Sequence, residues 1–263
     1  MKRVLAAAVA ATALITATPA QAAAAPDPVK ALQKQFVAGH GVKISEVTRT
    51  ESPGEKPQTS RKTGVYAFGE SGIVAADLTT RSNYLKSSPE ITLRLVIVDK
   101  QVYVQGGDLE KRLPEGKTWV HLGSTTNVSA SSQPVDPFRP AALKGLLSHA
   151  RSVKGGLYSG SLTLGQMRKL NRGRGSSLPI DYRLSTGSTG LPSRFRTSST
   201  LNLGGWGRLG DTTDTRYSAW GQKVTIVAPP EEQVIDSEDI KNAELDELME
   251  ELQIIPNEAL ASR

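Results

Sequence analysis

Apolar and polar residues alternate along much of this chain, in short blocks that recur about every ten residues. The most regular block is Ile91 to Leu122, ITLRLVIVDKQVYVQGGDLEKRLPEGKTWVHL. Ile91–Asp99 and Gln101–Gln105 read as two strands joined by a tight turn at Asp99-Lys100, and Lys117–Leu122 reads as a third. Side chains alternate across a strand with a period of two, so Leu93, Leu95 and Ile97 share one face of the first. Tyr103 lies between Val102 and Val104, and Trp119 stands near the start of the third strand.

The same pattern predicts strands at Val42–Thr50, Thr63–Phe68, Ile73–Leu78 and Arg81–Leu85, the last two separated by Thr79-Thr80. Beyond the central block it predicts Gly155–Leu164, Ile180–Ser185, Pro192–Ser199, Asp214–Trp220 and Val224–Val227. A helical period replaces it in a few places. Val29, Leu32 and Phe36 share one face of Val29–Ala38, which Gly39 or Gly41 should stop. Leu143, Leu146 and Leu147 mark Phe138–Ala150, with Asp136-Pro137 as its cap, and Gly165–Leu170 makes a short turn of helix. Asp239–Gln253 carries a stripe of Ile240, Leu245, Leu248 and Leu252 among acids. Many short strands with a few amphipathic helices predict an α+β fold, an antiparallel sheet or incomplete barrel covered by helices.

Composition adds a compartment and a charge asymmetry. Met1-Lys2-Arg3, an apolar run from Val4 to Thr16 and Ala20-Gln21-Ala22 have the layout of a secretory signal peptide. The apolar run is too short for a membrane span, which needs about 20 residues, and no second run of that length follows, so a transmembrane segment in the mature chain is not expected. The expected layout is a signal peptide over 1–22, a linker over 23–28, a body over 29–230 and an acidic tail over 231–263. The tail holds eleven acids against Lys241 and Arg263, a charge of −9. Removing that tail, and Lys2 and Arg3, from the net +6 leaves the body at +13. Such a body suits an anionic membrane or cell-wall surface. Nucleic acid is not expected, because stacking aromatics do not accompany the basic residues. Cysteine is absent, which excludes disulfides and thiolate chemistry and leaves stability to a packed core. With thirteen aromatics in all, that core should be mainly aliphatic.

Candidate chemistry is sparse. His40, His121 and His149 fall in no metal spacing, and His149 suits a helix C-terminus. The nucleophile elbow G-x-S-x-G is missing, since Gly156–Gly160 reads GLYSG with Tyr158 where serine is needed. Arg172, Gly173, Arg174 and Gly175 meet no phosphate-loop spacing, and Asp211 and Asp214 read as hairpin-turn residues. Trp206, among glycines, is the tryptophan expected to be exposed. No catalytic residue, metal or cofactor is expected, and the chain reads as a non-enzyme.

Four phrases then stand out together: Leu95–Val104 (LVIVDKQVYV), Leu113–Leu122 (LPEGKTWVHL), Leu157–Leu164 (LYSGSLTL) and Tyr217–Pro230 (YSAWGQKVTIVAPP). Over Pro28 to Pro230 the chain resembles the LppX/LprG-type lipoproteins of actinobacteria and, more distantly, the LolA-like lipoprotein carriers. The resemblance implies a strongly curved antiparallel half-barrel with helices on its concave side. It also implies a cavity for the acyl chain of a lipid, glycolipid or lipoprotein. Leu93, Leu95, Ile97, Tyr103, Trp119, Leu143, Leu146 and Leu147 would line that cavity or, in a filled interior, form the core. The lipidated cysteine of that family is absent here, so the resemblance points to a secreted, non-lipidated relative of the cell envelope. The alternative is a structural or interaction module that binds anionic wall polymer, or an exported partner, through its basic face.

Overall fold

The computed structural model describes residues 26–83, 91–107, 109–170 and 178–240, the side chains of Glu110 and Trp206 aside. Twelve strands among them form one sheet. They are β1 (His40–Glu51), β2 (Gln58–Gly69), β3 (Gly72–Ser82), β4 (Ile91–Val98), β5 (Gln101–Gly106), β6 (Trp119–Ser124), β7 (Ala150–Lys154), β8 (Leu157–Leu162), β9 (Ile180–Thr186), β10 (Pro192–Asn202), β11 (Arg208–Lys223) and β12 (Val234–Asp236). The spatial order is β12-β6-β5-β4-β3-β2-β1-β11-β10-β9-β8-β7. Two antiparallel meanders, β1 to β6 and β7 to β11, are therefore joined where β1 pairs with β11. The sheet stays open, with β7 at one edge and β12, parallel to β6, at the other. Three short α-helices among the described residues accompany it: α1 (Pro28–Gln33), α2 (Pro140–Ser148) and α3 (Leu164–Leu170).

Local chemistry explains the elements. Asp27 caps α1 by accepting from the Val29 and Lys30 amides, and Pro28 stands at the first helical position, where no amide is needed. The β4–β5 hairpin turns through Asp99 and Lys100, both with positive φ (51° and 66°), the twist that antiparallel partners favour. Its register pairs Leu95 with Val104 and Ile97 with Val102. Gly145 lets α2 and α3 approach closely, since a Cβ there would meet Leu170 Cδ2 of α3 at 2.1 Å and the leucine would have to shift.

Several expectations are corrected. β3 runs unbroken through Thr79-Thr80, because two β-branched residues continue a strand as readily as they interrupt one. The first helix ends at Gln33, and the chain tightens into short turns, Gln35 N–H to Leu32 O and Phe36 N–H to Gln33 O, well before Gly39. Arg139 takes the N-cap position of α2, whereas Asp136 accepts from the Phe138 amide just ahead of it. Strand β7 begins straight after α2, and Gly155-Gly156 is the turn into β8. β11 spans sixteen residues, with Asp211 and Asp214 inside it, and Val224–Val227 lies beyond its end. The signal peptide, the basic loop at Asn171–Ser177 and the acidic helix past Ile240 lie outside the described residues.

Alternation gives the sheet an inner and an outer face. Inner-face residues from Val42 and Ile44 of β1 to Phe195 of β10 and Tyr217 of β11 form one buried cluster with Leu32 of α1, Ala142, Leu143 and Leu146 of α2 and Met167 of α3. Burial of this kind contributes about 25 cal/mol per Å² of apolar surface. The core is not uniformly aliphatic. Phe36, Tyr66, Phe68, Phe138, Tyr217 and Trp220 form an aromatic knot beside the start of β1, with Phe138 edge-on to Tyr217 at 5.2 Å and to Tyr66 at 5.5 Å.

Candidate functional site

Inner-face positions change character along the same strands. In β1 they read Val42, Ile44, then Glu46, Thr48 and Thr50, and β11 likewise passes from Tyr217 to Thr215 and Thr213. Half of the inner face is thus apolar and holds the cluster with the helices. The other half is polar and holds the segment between β6 and α2, whose Ser129, Ala130, Gln133 and Val135 are buried.

Glu46 and Lys62, directly opposite on β1 and β2, anchor that polar half. Glu46 is 1% exposed, and Lys62 Nζ lies 3.4 Å from its Oε1. Its carboxylate also accepts from Ser131 Oγ (2.9 Å), the Ser132 amide (3.0 Å) and Thr215 Oγ1 (2.8 Å). Lys62 Nζ donates to Ala130 O and to Ser132 Oγ. Gln133 completes the network: its Nε2 donates to Phe195 O (2.9 Å) and Thr215 Oγ1 (2.9 Å), and its Oε1 accepts from Thr197. Burial alone would push the Glu46 carboxyl up, but Lys62 and its three donors together hold it below the ordinary glutamate value. Asp136, pushed up by burial against its Phe138 bond and Arg139, ends above its ordinary value. Burial, then Glu46, raise the Tyr66 and Tyr217 hydroxyls well above theirs.

The sequence-selected residues divide between the two faces. Leu93, Leu95, Ile97, Leu143 and Leu146 belong to the inner apolar cluster, and Leu147 packs at its margin. Tyr103 and Trp119 stand on the outer face instead: Tyr103 stacks on His121 at 5.1 Å, and the Arg94 guanidinium lies 5.5 Å from the Trp119 ring centre. His121 joins Asp236 of β12 through Nδ1 (2.5 Å) and Gln101 of β5 through Nε2 (2.8 Å), which ties the edge strand down. His149 closes α2, its Nδ1 bonded to Gly145 O at 2.7 Å. Trp206's side chain lies outside the described set.

Glu46, Lys62 and Gln133 were not singled out from sequence. Their one visible signal is that the inward parity of β1 passes from Val42 and Ile44 to Glu46. A second feature missed there lies on the outer face of β1, β10 and β11, a depression of about 660 Å³. Arg49, Arg196 and Arg216 line it together with Asp214, which Arg194 grips through Nε (2.8 Å) and Nη2. That grip holds the Asp214 carboxyl below its ordinary value despite partial burial.

Among the described residues no group of three or more His, Cys, Asp or Glu side chains could hold a metal. No helix among them is long and apolar enough to cross a membrane. No family profile and no characterised protein matches this sequence. Solved structures do. The lipoprotein LppX of Mycobacterium tuberculosis is similar at 14% identity and a TM-score of 0.41, over 76% of this chain and 96% of that one. LprF of Mycobacterium bovis gives 14% and 0.36, over 77% and 95%. A LolA superfamily protein of Nitrosomonas europaea gives 9% and 0.28, over 82% and 97%. These neighbours are of the lipoprotein and LolA kinds that the sequence phrases resemble.

Proposed function

We propose that this protein is a secreted, non-enzymatic carrier that takes the acyl chain of a lipid or acylated ligand between the sheet and its helices. The observation that carries this reading is the inner apolar cluster. It runs without a break from the inner faces of strands in both meanders to all three helices. Helices of six, nine and seven residues are marginal on their own, so packing against the sheet holds them in place. An acyl chain offers the sheet the same apolar contacts that the helices do. In this reading the half-barrel is filled by its own side chains when empty of ligand, and the helix layer parts to admit one. Leu93, Leu95, Ile97, Leu143, Leu146 and Leu147 then contact the chain. Tyr103 and Trp119, on the other face, do not.

Native mass spectrometry of protein purified from its own host, with titration of a fluorescent fatty acid, tests this. A co-purified lipid or saturable probe binding, weakened by Leu146→Asp but not by Tyr103→Ala, is the expected result. A protein with neither lipid nor probe binding would be no carrier.

A further inference from the structure

The outer face violates a rule of strand pairing three times. Like charges directly opposite one another on neighbouring strands destabilise a sheet. Here Arg183 faces Arg196, Arg61 faces Arg81 and Arg194 faces Arg216. The first two pairs lie in one row across six strands, Arg183, Arg196, Asp214, Val47, Arg61 and Arg81. At about 4.8 Å per strand the row is about 24 Å long. The 660 Å³ depression opens beneath its middle.

The acids on this stretch are already engaged. Asp214 is held by Arg194, Asp77 by Arg94 (2.8 and 3.0 Å), Glu51 by Arg49 (3.2 Å), and Asp181 accepts from Ser161. Among the described residues Arg61, Arg81, Arg183, Arg196 and Arg216 form no ion pair. A surplus of guanidinium groups in a local arrangement that costs stability is what a binding surface leaves behind. Guanidinium, unlike ammonium, matches an oxyanion with two parallel donors, and this face uses arginine almost throughout.

We infer that this row is a binding groove for a linear phosphate-bearing polyanion, which lies across the strands with phosphates in reach of Arg61, Arg196 and Arg216. The depression decides between a chain and a surface. A flexible polymer can enter it and follow the row, whereas a bilayer meets only its rim. This groove is separate from the apolar interior and does not depend on carriage of a lipid.

The test is a salt-dependent titration of end-labelled long-chain inorganic polyphosphate, read by anisotropy. Arg61→Gln, Arg196→Gln and Arg216→Gln combined should make the negative slope of log affinity against log salt shallower by about three. A control with Lys30→Gln, Lys34→Gln and Lys154→Gln, equal in charge removed, should leave the slope unchanged. The first variant should also melt no lower than the wild type, since it removes one member of each of the three like-charge pairs. Equal loss in both variants, absence of binding, or a lower melting temperature in the first would overturn the inference. So would sedimentation with vesicles of equal parts phosphatidylglycerol and phosphatidylcholine that polyphosphate fails to reverse, which would make the partner a membrane.

Discussion

Glu46 and Asp214 lie one strand apart on opposite faces of the same sheet, and each is paired with a cation. Inside, Glu46 meets one lysine, and three further donors occupy its oxygens. Outside, Asp214 is gripped by Arg194 and still has Arg196 and Arg216 beside it. Charge inside is balanced one for one because an unmatched ion cannot be left in a dry interior. Charge outside is unbalanced because water tolerates the excess. The balanced pair secures a segment of the chain, and the unbalanced one has capacity for something else.

Removing one member of each pair should separate the two cases most sharply. Lys62→Ala leaves a buried carboxylate without its cation and should cost about 3–5 kcal/mol in urea denaturation. Glu46→Leu with Lys62→Met should recover much of that, because both charges go together. A small loss in the single variant would mean that the inner pair is wetter than its burial indicates.

Acid titration of stability gives a second, smaller contrast. Glu46's folded value lies below its ordinary one, so its contribution is present above the ordinary glutamate pKa. It is lost as pH falls through the folded value. In Lys62→Met the strongest of the influences that lower the carboxyl is gone, so its value moves up and less stability should be lost on the same acidification. Asp136, already raised, gains stability with acid in both proteins, so the difference between the two curves isolates Glu46. Curves that stay parallel would show that Lys62 does not set that carboxyl.

The smallest effect belongs outside. Arg194→Ala opens a pair whose side chains are 44% and 22% exposed, and should change stability by less than about 1 kcal/mol. A cost as large as that of Lys62→Ala would erase the distinction between the faces.

Much of this was legible in the alternation. Leu93, Leu95 and Ile97 fall on the inner face as their parity requires, and α2 presents Leu143 and Leu146 to the cluster as a helical stripe should. Tyr103 and Trp119 have the opposite parity to the buried Val102, Val104 and Val120, so their side could have been read from the same rule. Pairing could not. Lys62 reads as an ordinary exposed cation until the register sets it opposite Glu46. The arginine row consists of residues up to 135 positions apart, from Arg61 to Arg196, aligned only by the ladder. Nothing local to Gln133 announces that it bonds to two strands, β10 and β11.

The ends of the ladder bear on how this protein behaves in a crowd. An unpaired strand invites another chain to extend the sheet. β12 offers three residues, and β7 offers five, with Arg151 and Lys154 among them. Each is too short to register a newcomer, and the second repels a copy of itself. Among the described residues the sheet thus ends without a template for a further strand, and these edges should not seed fibres at concentrations where a longer bare edge would.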